Sequence, residues 1–362
     1  MNDKNKFNDF DEVFIEKKYK DSNEVAFILG KLKNGIKIHI IKDPVSLIKE
    51  TFSSDAPVDK AKKLLLTGLK GKVLKKCPGS LGHLCCNYYV VNLYLGCPIN
   101  CSYCILQAYL KNPFITINVN ILEIFEELDK ILSKNKNKHF RIGTGELGDS
   151  LVYDPITGFS EKFIDFFSNY KNATFEFKTK TDYIENILKH DSPGNIVVGF
   201  SVNAQQVTRE EEGLASSLEE RLIAAQKAVK KGYHVSFHFD PIVHISDYKK
   251  EYFEVIRMIF EYVKPHDIAW VSLGTMRYTK ELKKNMKYNY PETELLSDEF
   301  IECRDEKYRY FKPVRSLIYS QIIGILKKYD KSLPVYLCME SPEVWKSSMG
   351  FLPSKKNLGS IF

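Results

Sequence analysis

The sequence predicts an α/β fold, a partial (β/α)6 TIM-type barrel with N- and C-terminal extensions. Two observations carry this. From residue 88 onward, short apolar runs alternate with amphipathic stretches in five strand–helix repeats closed by a sixth strand. Such alternation implies parallel strands joined by right-handed crossovers. The runs also lead into glycine, cysteine or charged residues, and a barrel of this kind does its chemistry at the C-terminal ends of its strands. The boundaries expected are an extension over 1–86, a barrel core over 87–275 and a segment over 276–362 that packs on the barrel. There is no internal repeat and no long low-complexity linker.

Residues 1–86 have weak periodicity. Glu24–Gly30 and Lys37–Ile41 suit strands or short helical pieces, and the basic stretch Lys60–Lys63, with Lys70, Lys72, Lys75 and Lys76, reads as a solvated face. The apolar run Tyr88–Leu95 is the first barrel strand. Ile121, Leu122, Ile124, Phe125, Leu128, Ile131 and Leu132 follow on one helical face. His139–Glu146 is a strand with a glycine-rich end, and Phe159–Tyr170 is a helix with Phe163, Phe166 and Phe167 inward. Thr174–Lys180 is a strand, Asp182–Lys189 a helix and Ile196–Asn203 a strand. Ser217-Leu218-Glu219-Glu220 is a capping box opening a helix that stops at Gly232. His234–Pro241, the helix Asp247–Val263 and Ile268–Gly274 complete the alternation. Residues 275–312 break the rhythm, before a helix over Pro313–Lys328 and a last strand over Pro334–Met339.

Composition bounds the function. Lys plus Arg exceeds Asp plus Glu by 53 − 46 = 7, which permits a polyanionic partner without demonstrating one. No run of 18 apolar residues is present and the first residues are polar, so a cytoplasmic protein with no membrane span and no signal peptide is expected. Eight cysteines in such a chain suggest ligands or reactive thiols before disulfides.

Three of those thiols, Cys97, Cys101 and Cys104, lie within eight residues after the first strand, entered through Gly96-Cys97-Pro98. Close soft ligands suit an iron–sulfur cluster or zinc. Three rather than four would leave a [4Fe–4S] cluster with one iron open to a small molecule. Zinc would need a fourth ligand, for which Cys77, His83, Cys85 and Cys86 are candidates. The fifth strand alternates His234, Ser236, His238 and Asp240, which period two puts on one face, toward the lumen. His238 and Asp240 stand nearest the strand's C-terminal end. Arg309, Tyr310, Lys312 and Arg315 mix cations with stacking aromatics, a combination suited to a phosphodiester backbone and an exposed base.

The cysteine motif resembles that of the radical S-adenosylmethionine (SAM) superfamily. Within it, Cys101–Leu110, Phe200–Ala204 and Lys284–Pro291 resemble the spore photoproduct lyase family, the resemblance covering about residues 75 to 350. It implies a barrel of the radical SAM type and a [4Fe–4S] cluster on Cys97, Cys101 and Cys104. It implies SAM cleavage to a 5′-deoxyadenosyl radical, a reducing partner such as flavodoxin or ferredoxin, and a DNA substrate carrying a pyrimidine lesion. Gly143, Thr144, Gly145 and Glu146 resemble the superfamily's Gly-Gly-Glu element, with Glu146 offering an anion to the SAM ammonium. Lys180 and Ser201 match positions holding the SAM carboxylate, and Asn203 is a weaker match. Otherwise Lys180 would be ion-paired, with Glu176 as its expected partner. His238 and Asp240 would complete the cofactor's surroundings, and the basic aromatic segment would engage DNA.

Two positions depart from the family pattern. Glu146 stands where the hydrogen-donor cysteine is expected, and Ile105 replaces the tyrosine after the third cluster cysteine, leaving Tyr103 alone of a pair of candidate catalytic tyrosines. Cys77, Cys85, Cys86, Cys303 and Cys338 remain, by default buried small thiols. Cys338, on the last strand, or one of Cys85 and Cys86, which lead into the first, is a candidate replacement donor, and several of them together could hold a second cluster. Radical SAM chemistry on a peptide or small metabolite, and a non-catalytic zinc or iron–sulfur module that binds nucleic acid, are the alternatives.

Overall fold

The computed structural model describes residues 7–53, 62–80 and 82–362. The first strands are β1 (Glu12–Glu16), β2 (Lys37–Ile41), β3 (Lys63–Thr67), β4 (Lys75–Lys76), β5 (Tyr88–Val90), β6 (Tyr94–Leu95) and β7 (Ile115–Asn118). The barrel strands β8 (Phe140–Gly143), β9 (Ala173–Thr179), β10 (Ile196–Ser201), β11 (His234–Ile242) and β12 (Ile268–Thr275) come next. Then follow β13 (Arg277–Tyr278), β14 (Phe300–Glu302), β15 (Tyr308–Tyr310) and β16 (Val335–Leu337).

Eight strands form the curved sheet β16-β12-β11-β10-β9-β8-β5-β4, parallel throughout except at the β4–β5 edge. Its six central strands are those anticipated from the alternation, so the partial (β/α) barrel is the observed architecture. A second sheet, β2-β1-β3-β7-β6, gathers the N-terminal strands beside the barrel. A three-stranded antiparallel sheet, β13-β15-β14, and the helix Lys280–Asn289 fill the region where the rhythm broke.

The apolar stripes explain the helices. On Ile121–Lys134 the buried residues are Ile121, Ile124, Leu128 and Leu132, whereas Leu122 is 70% exposed. One residue on from Ile121 is a turn of about 100° around the axis, which takes Leu122 off the inward stripe. The capping box forms as expected: Ser217 Oγ accepts from Glu220 N at 3.2 Å, and the Glu220 carboxylate accepts from Ser217 N at 2.8 Å. Glu24–Gly30 is helical over Asn23–Leu29, capped by Ser22, and Lys37–Ile41 is a strand. Of the basic stretch, Lys60 and Ala61 lie outside the described residues, while Lys62 pairs with Asp9 and Lys70 with Glu16.

Two elements differ from expectation. The run Tyr88–Leu95 divides between two sheets, β5 pairing with β8 in the barrel and β6 with β7 in the smaller sheet. The helix expected over Asp182–Lys189 is a single 3-10 turn at Ile187–Lys189. Side chains take the amides at its start: Ser216 Oγ accepts from Asp182 N at 3.1 Å and Thr181 Oγ1 from Tyr183 N at 3.3 Å, bonds that compete with a helical ladder.

A partial barrel leaves a gap between its edges, and the segment before β5 spans it. Leu84 N donates to Glu340 O at 2.9 Å, an isolated antiparallel bridge. Below it Arg141, 3% exposed, lies against the rings of Trp270, Tyr336 and Tyr88 and donates to Tyr336 Oη at 2.8 Å. Among the described residues no helix is long and apolar enough to cross a membrane.

Candidate functional site

The three-cysteine loop follows β6 and is fastened on several sides. Cys104 N donates to Cys101 O at 3.1 Å, closing a turn, and Gln107 Nε2 donates to Cys101 O at 3.1 Å and Ser102 O at 2.8 Å. Ser102 N donates to Glu211 O at 2.9 Å, and Leu214 N to Ile99 O at 2.8 Å. Between these last two, a Cβ on Gly213 would stand 2.3 Å from Ile99 O, so the glycine lets the two backbones meet. Tyr290 Oη adds a bond to Asn100 Oδ1 at 2.6 Å.

All three loop cysteines are free thiols, Cys101 buried and the others half-buried. Burial pushes each thiol up, and Cys97 is raised further by Asp149 and by its two neighbours. Three soft sulfur donors on one loop are the donor set of an iron–sulfur cluster, whose positive charge would favour their thiolate forms. Among the described residues no three His, Cys, Asp or Glu side chains converge as the ligands of a single ion would.

Behind the loop lies a buried ion network. Tyr103 Oη donates to Glu212 Oε1, Lys180 Nζ donates to the same oxygen at 2.7 Å and to Tyr103 Oη at 2.9 Å, and Arg221 Nη2 donates to Glu212 Oε2 at 2.5 Å. Arg221 also donates to Ser201 O at 2.8 Å and Ser216 O at 2.8 Å. Glu212 and Arg221 are fully buried. Burial alone would raise the Glu212 carboxyl, but Arg221 and Lys180 outweigh it and hold it at about 2. Lys180 thus pairs with Glu212, not with the expected Glu176. Sequence reasoning missed Glu212 and Arg221: Glu212 is the last of three consecutive acids from Glu210 on a stretch with no motif, save that Gly213 follows and Arg209 precedes.

At the end of β8, Thr144 Oγ1 donates to Ser150 Oγ at 2.8 Å, and Glu146 accepts from Asn92 Nδ2 at 2.9 Å. Gly143 O accepts from Val91 N at 2.9 Å, and Gly145 packs on Lys178. Ser201 is buried at the end of β10, where its carbonyl holds Arg221. Asn203 is structural in its bonds, donating to Pro241 O at 3.0 Å and accepting from Tyr252 Oη at 2.6 Å.

The inward face of β11 divides by depth. His234 is exposed at its start, while Ser236 and His238 are buried and both reach Glu176 Oε1, at 2.6 and 2.7 Å. Trp270 Nε1 donates to the same oxygen at 3.1 Å. Asp240 accepts two bonds from Arg277, at 2.9 and 3.0 Å, and Arg277 Nη2 lies 4.0 Å from Cys338 Sγ. Burial pushes the Cys338 and Cys77 thiols up, whereas the hydrogen bond between Cys86 and Cys85 raises Cys86, with burial adding to it, and pulls Cys85 down.

The basic aromatic segment is mostly turned inward, a correction to the expected nucleic-acid face. Arg309, 1% exposed, is held by the Asp305 carboxylate at 2.6 and 2.7 Å. Arg315 is buried with its Nε 3.0 Å from Glu340 Oε1, and Tyr310 is buried with its hydroxyl accepting from His244 N at 3.1 Å. Only Lys312 of the four is exposed.

The profile of the spore photoproduct lyase family matches residues 57–322. Spore photoproduct lyase from Bacillus subtilis is 30% identical over 226 residues, 61% of this chain and 64% of that protein. The Geobacillus enzyme of the same name is 28% identical over 214 residues, covering 58% of this chain and 63% of its own length. The Clostridium acetobutylicum one is 26% identical over 224 residues, covering 62% and 66%. The matches therefore span just under two thirds of these relatives. Among solved structures, a spore photoproduct lyase complexed with dinucleoside spore photoproduct is similar with a TM-score of 0.78 at 22% identity, covering 92% of this chain and 100% of that one. A variant with bound AdoMet and dinucleoside spore photoproduct gives 0.77 at 21% identity, covering 92% and 98%. These structures share the fold of this chain.

Proposed function

Because this chain belongs to the spore photoproduct lyase family, we propose that it is a radical SAM enzyme acting on a pyrimidine lesion in DNA. The observation that carries the reading is the three-cysteine loop packed behind the strand ends, with Tyr103 bonded to the Lys180–Glu212 pair. Cys97, Cys101 and Cys104 would hold a [4Fe–4S] cluster, and Glu146, Lys180 and Ser201 would bind SAM with the Gly143–Gly145 turn beneath it. When bound, cluster and SAM supply a 5′-deoxyadenosyl radical that abstracts a substrate hydrogen atom. The relative with bound AdoMet and dinucleoside spore photoproduct supports both ligands. A flavodoxin- or ferredoxin-type protein would deliver the electron.

The chain's own residues supply position and shielding. Tyr103 and Lys180 share one carboxylate oxygen, which ties the loop to the rim of β9. His238 and Trp270 both bond Glu176, two alternate positions back along β9 from Lys180, and keep that carboxylate buried. Glu146 occupies the family's donor-cysteine position, so hydrogen return falls to another thiol. A hydrogen-atom donor must keep its S–H bond, and burial keeps Cys338 protonated. Cys86 meets the same condition, whereas Cys85 is shifted toward thiolate.

Anaerobic reconstitution with iron and sulfide, followed by reduction with SAM present, tests the reading. Formation of 5′-deoxyadenosine and conversion of a methylene-bridged thymine dinucleotide are expected. One tightly bound zinc without SAM cleavage would overturn the cluster, while SAM cleavage without conversion of the lesion would favour a peptide or small metabolite.

A further inference from the structure

The inward-facing residues of β9 are Glu176, Lys178 and, just past the strand, Lys180, set by the two-residue period. Two of them are fully engaged: Glu176 by Ser236, His238 and Trp270, and Lys180 by Glu212 and Tyr103. Lys178, half-buried between them, has among the described residues no side-chain hydrogen bond and no carboxylate within 4.0 Å. Its stem lies over Gly145, where a Cβ would stand 3.1 Å from Lys178 Cβ and 3.2 Å from Cε. The glycine therefore leaves the room in which this side chain is laid.

The nearby carboxylates are already committed. Asp240 takes both of its bonds from Arg277, and Glu146, which accepts from the neutral Asn92 amide, is the group assigned above to the SAM ammonium. Lys307 is half-buried, donates to Ser80 Oγ at 2.7 Å, itself 3.7 Å from the sulfur of Met339 next to Cys338, and stands 4.0 Å from Asp305, whose oxygens are occupied by Arg309. Both ammonium groups lie within electrostatic reach of Cys338. The lumen mouth thus carries cations that its own anions do not neutralise, and half-buried cations of this kind are completed by an anionic ligand.

Resting on the lesion-repair reading above, we propose that Lys178, with Lys307, binds the phosphodiester linking the two nucleosides of the lesion, beside Cys338. A dinucleotide lesion carries one such phosphate between its sugars, and a dinucleoside carries none. The site therefore sets the register of the lesion rather than reading its bases, since phosphate contacts position and base contacts specify.

The test compares two ligands on the reconstituted, SAM-loaded protein: dinucleoside spore photoproduct and its phosphate-bridged counterpart. The phosphate should tighten binding about tenfold, the size of one charge-assisted hydrogen bond. Lys178→Gln should remove most of that increment and leave dinucleoside binding unchanged, and Lys178→Arg should restore it. An increment that survives Lys178→Gln overturns the proposal, as does equal weakening of both ligands. Weaker SAM binding with an intact phosphate increment would reassign Lys178 to the SAM carboxylate and overturn it too. If neither lesion ligand binds the parent protein, the repair reading fails and takes this site with it.

Discussion

The two sides of the barrel mouth follow opposite rules. On the side of the cysteine loop, Tyr103, Lys180, Glu212 and Arg221 satisfy one another through short bonds in the interior. On the side of Cys338, Lys178 has no side-chain partner among the described residues, and Lys307 has one hydroxyl and, at 4.0 Å, the Asp305 carboxylate already held by Arg309. A closed network holds a fixed group in place, because any lost partner leaves a buried charge exposed to the full desolvation cost. An open set of charges gains when something else arrives. The contrast separates charges that the protein already pairs from charges it leaves without a close counter-ion.

The largest effect expected is on the loop itself. Cys101→Ser should abolish both the brown iron–sulfur absorption and 5′-deoxyadenosine formation, and a variant that retained its iron would remove the loop from the site. Next is Glu212→Gln, which leaves Arg221 buried without a counter-charge. It should lower unfolding stability by roughly 3–5 kcal/mol in urea titrations, whereas Lys178→Gln should change it by no more than about 0.5 kcal/mol. Equal losses in the two variants would erase the distinction between closed and open sides.

The closed side also predicts a pH profile. Glu212 is held at about 2 against an unfolded value of 4.5. Its pairing therefore adds stability fully above pH 4.5, and that contribution is lost as the pH falls from there toward 2. Thermal melts across this window should show a shallower slope in Glu212→Gln than in the parent chain. For the open side, Cys338→Ala should divert product radicals to side products. An unchanged product ratio there, with an altered one in Cys86→Ala, would move hydrogen return to Cys86. The smallest effect belongs to Lys312→Gln. As an exposed phosphate contact it should weaken DNA binding less than about threefold and lower the salt slope by about one.

The six central barrel strands were legible because each apolar run is short, parallel strands are buried on both faces, and the helices between carry a clear stripe. The cysteine loop was legible because ligand spacing is local. The buried network was not, since Tyr103 and Glu212 are 109 residues apart and the fold alone brings them together. Arg309 read as a surface cation although Asp305 stands four residues before it. That spacing was visible, but the burial that makes the pair internal was not. In Tyr88–Leu95, apolar content showed a strand without showing that the chain changes sheets at Val91–Leu93.

The bridge from Leu84 to Glu340 has a consequence for biosynthesis. It joins positions 340 − 84 = 256 residues apart, so the wall of the reaction chamber is completed only after β16 has left the ribosome. The cysteine loop emerges much earlier and meets its first distant support, the 211–214 segment at Ile99 and Ser102, well before β16 is made. Closing so long a loop is a late and slow event. A nascent or C-terminally shortened chain would thus have its metal ligands in place around an open-sided vessel, where a radical meets solvent before substrate. Loading the metal after release from the ribosome avoids that interval.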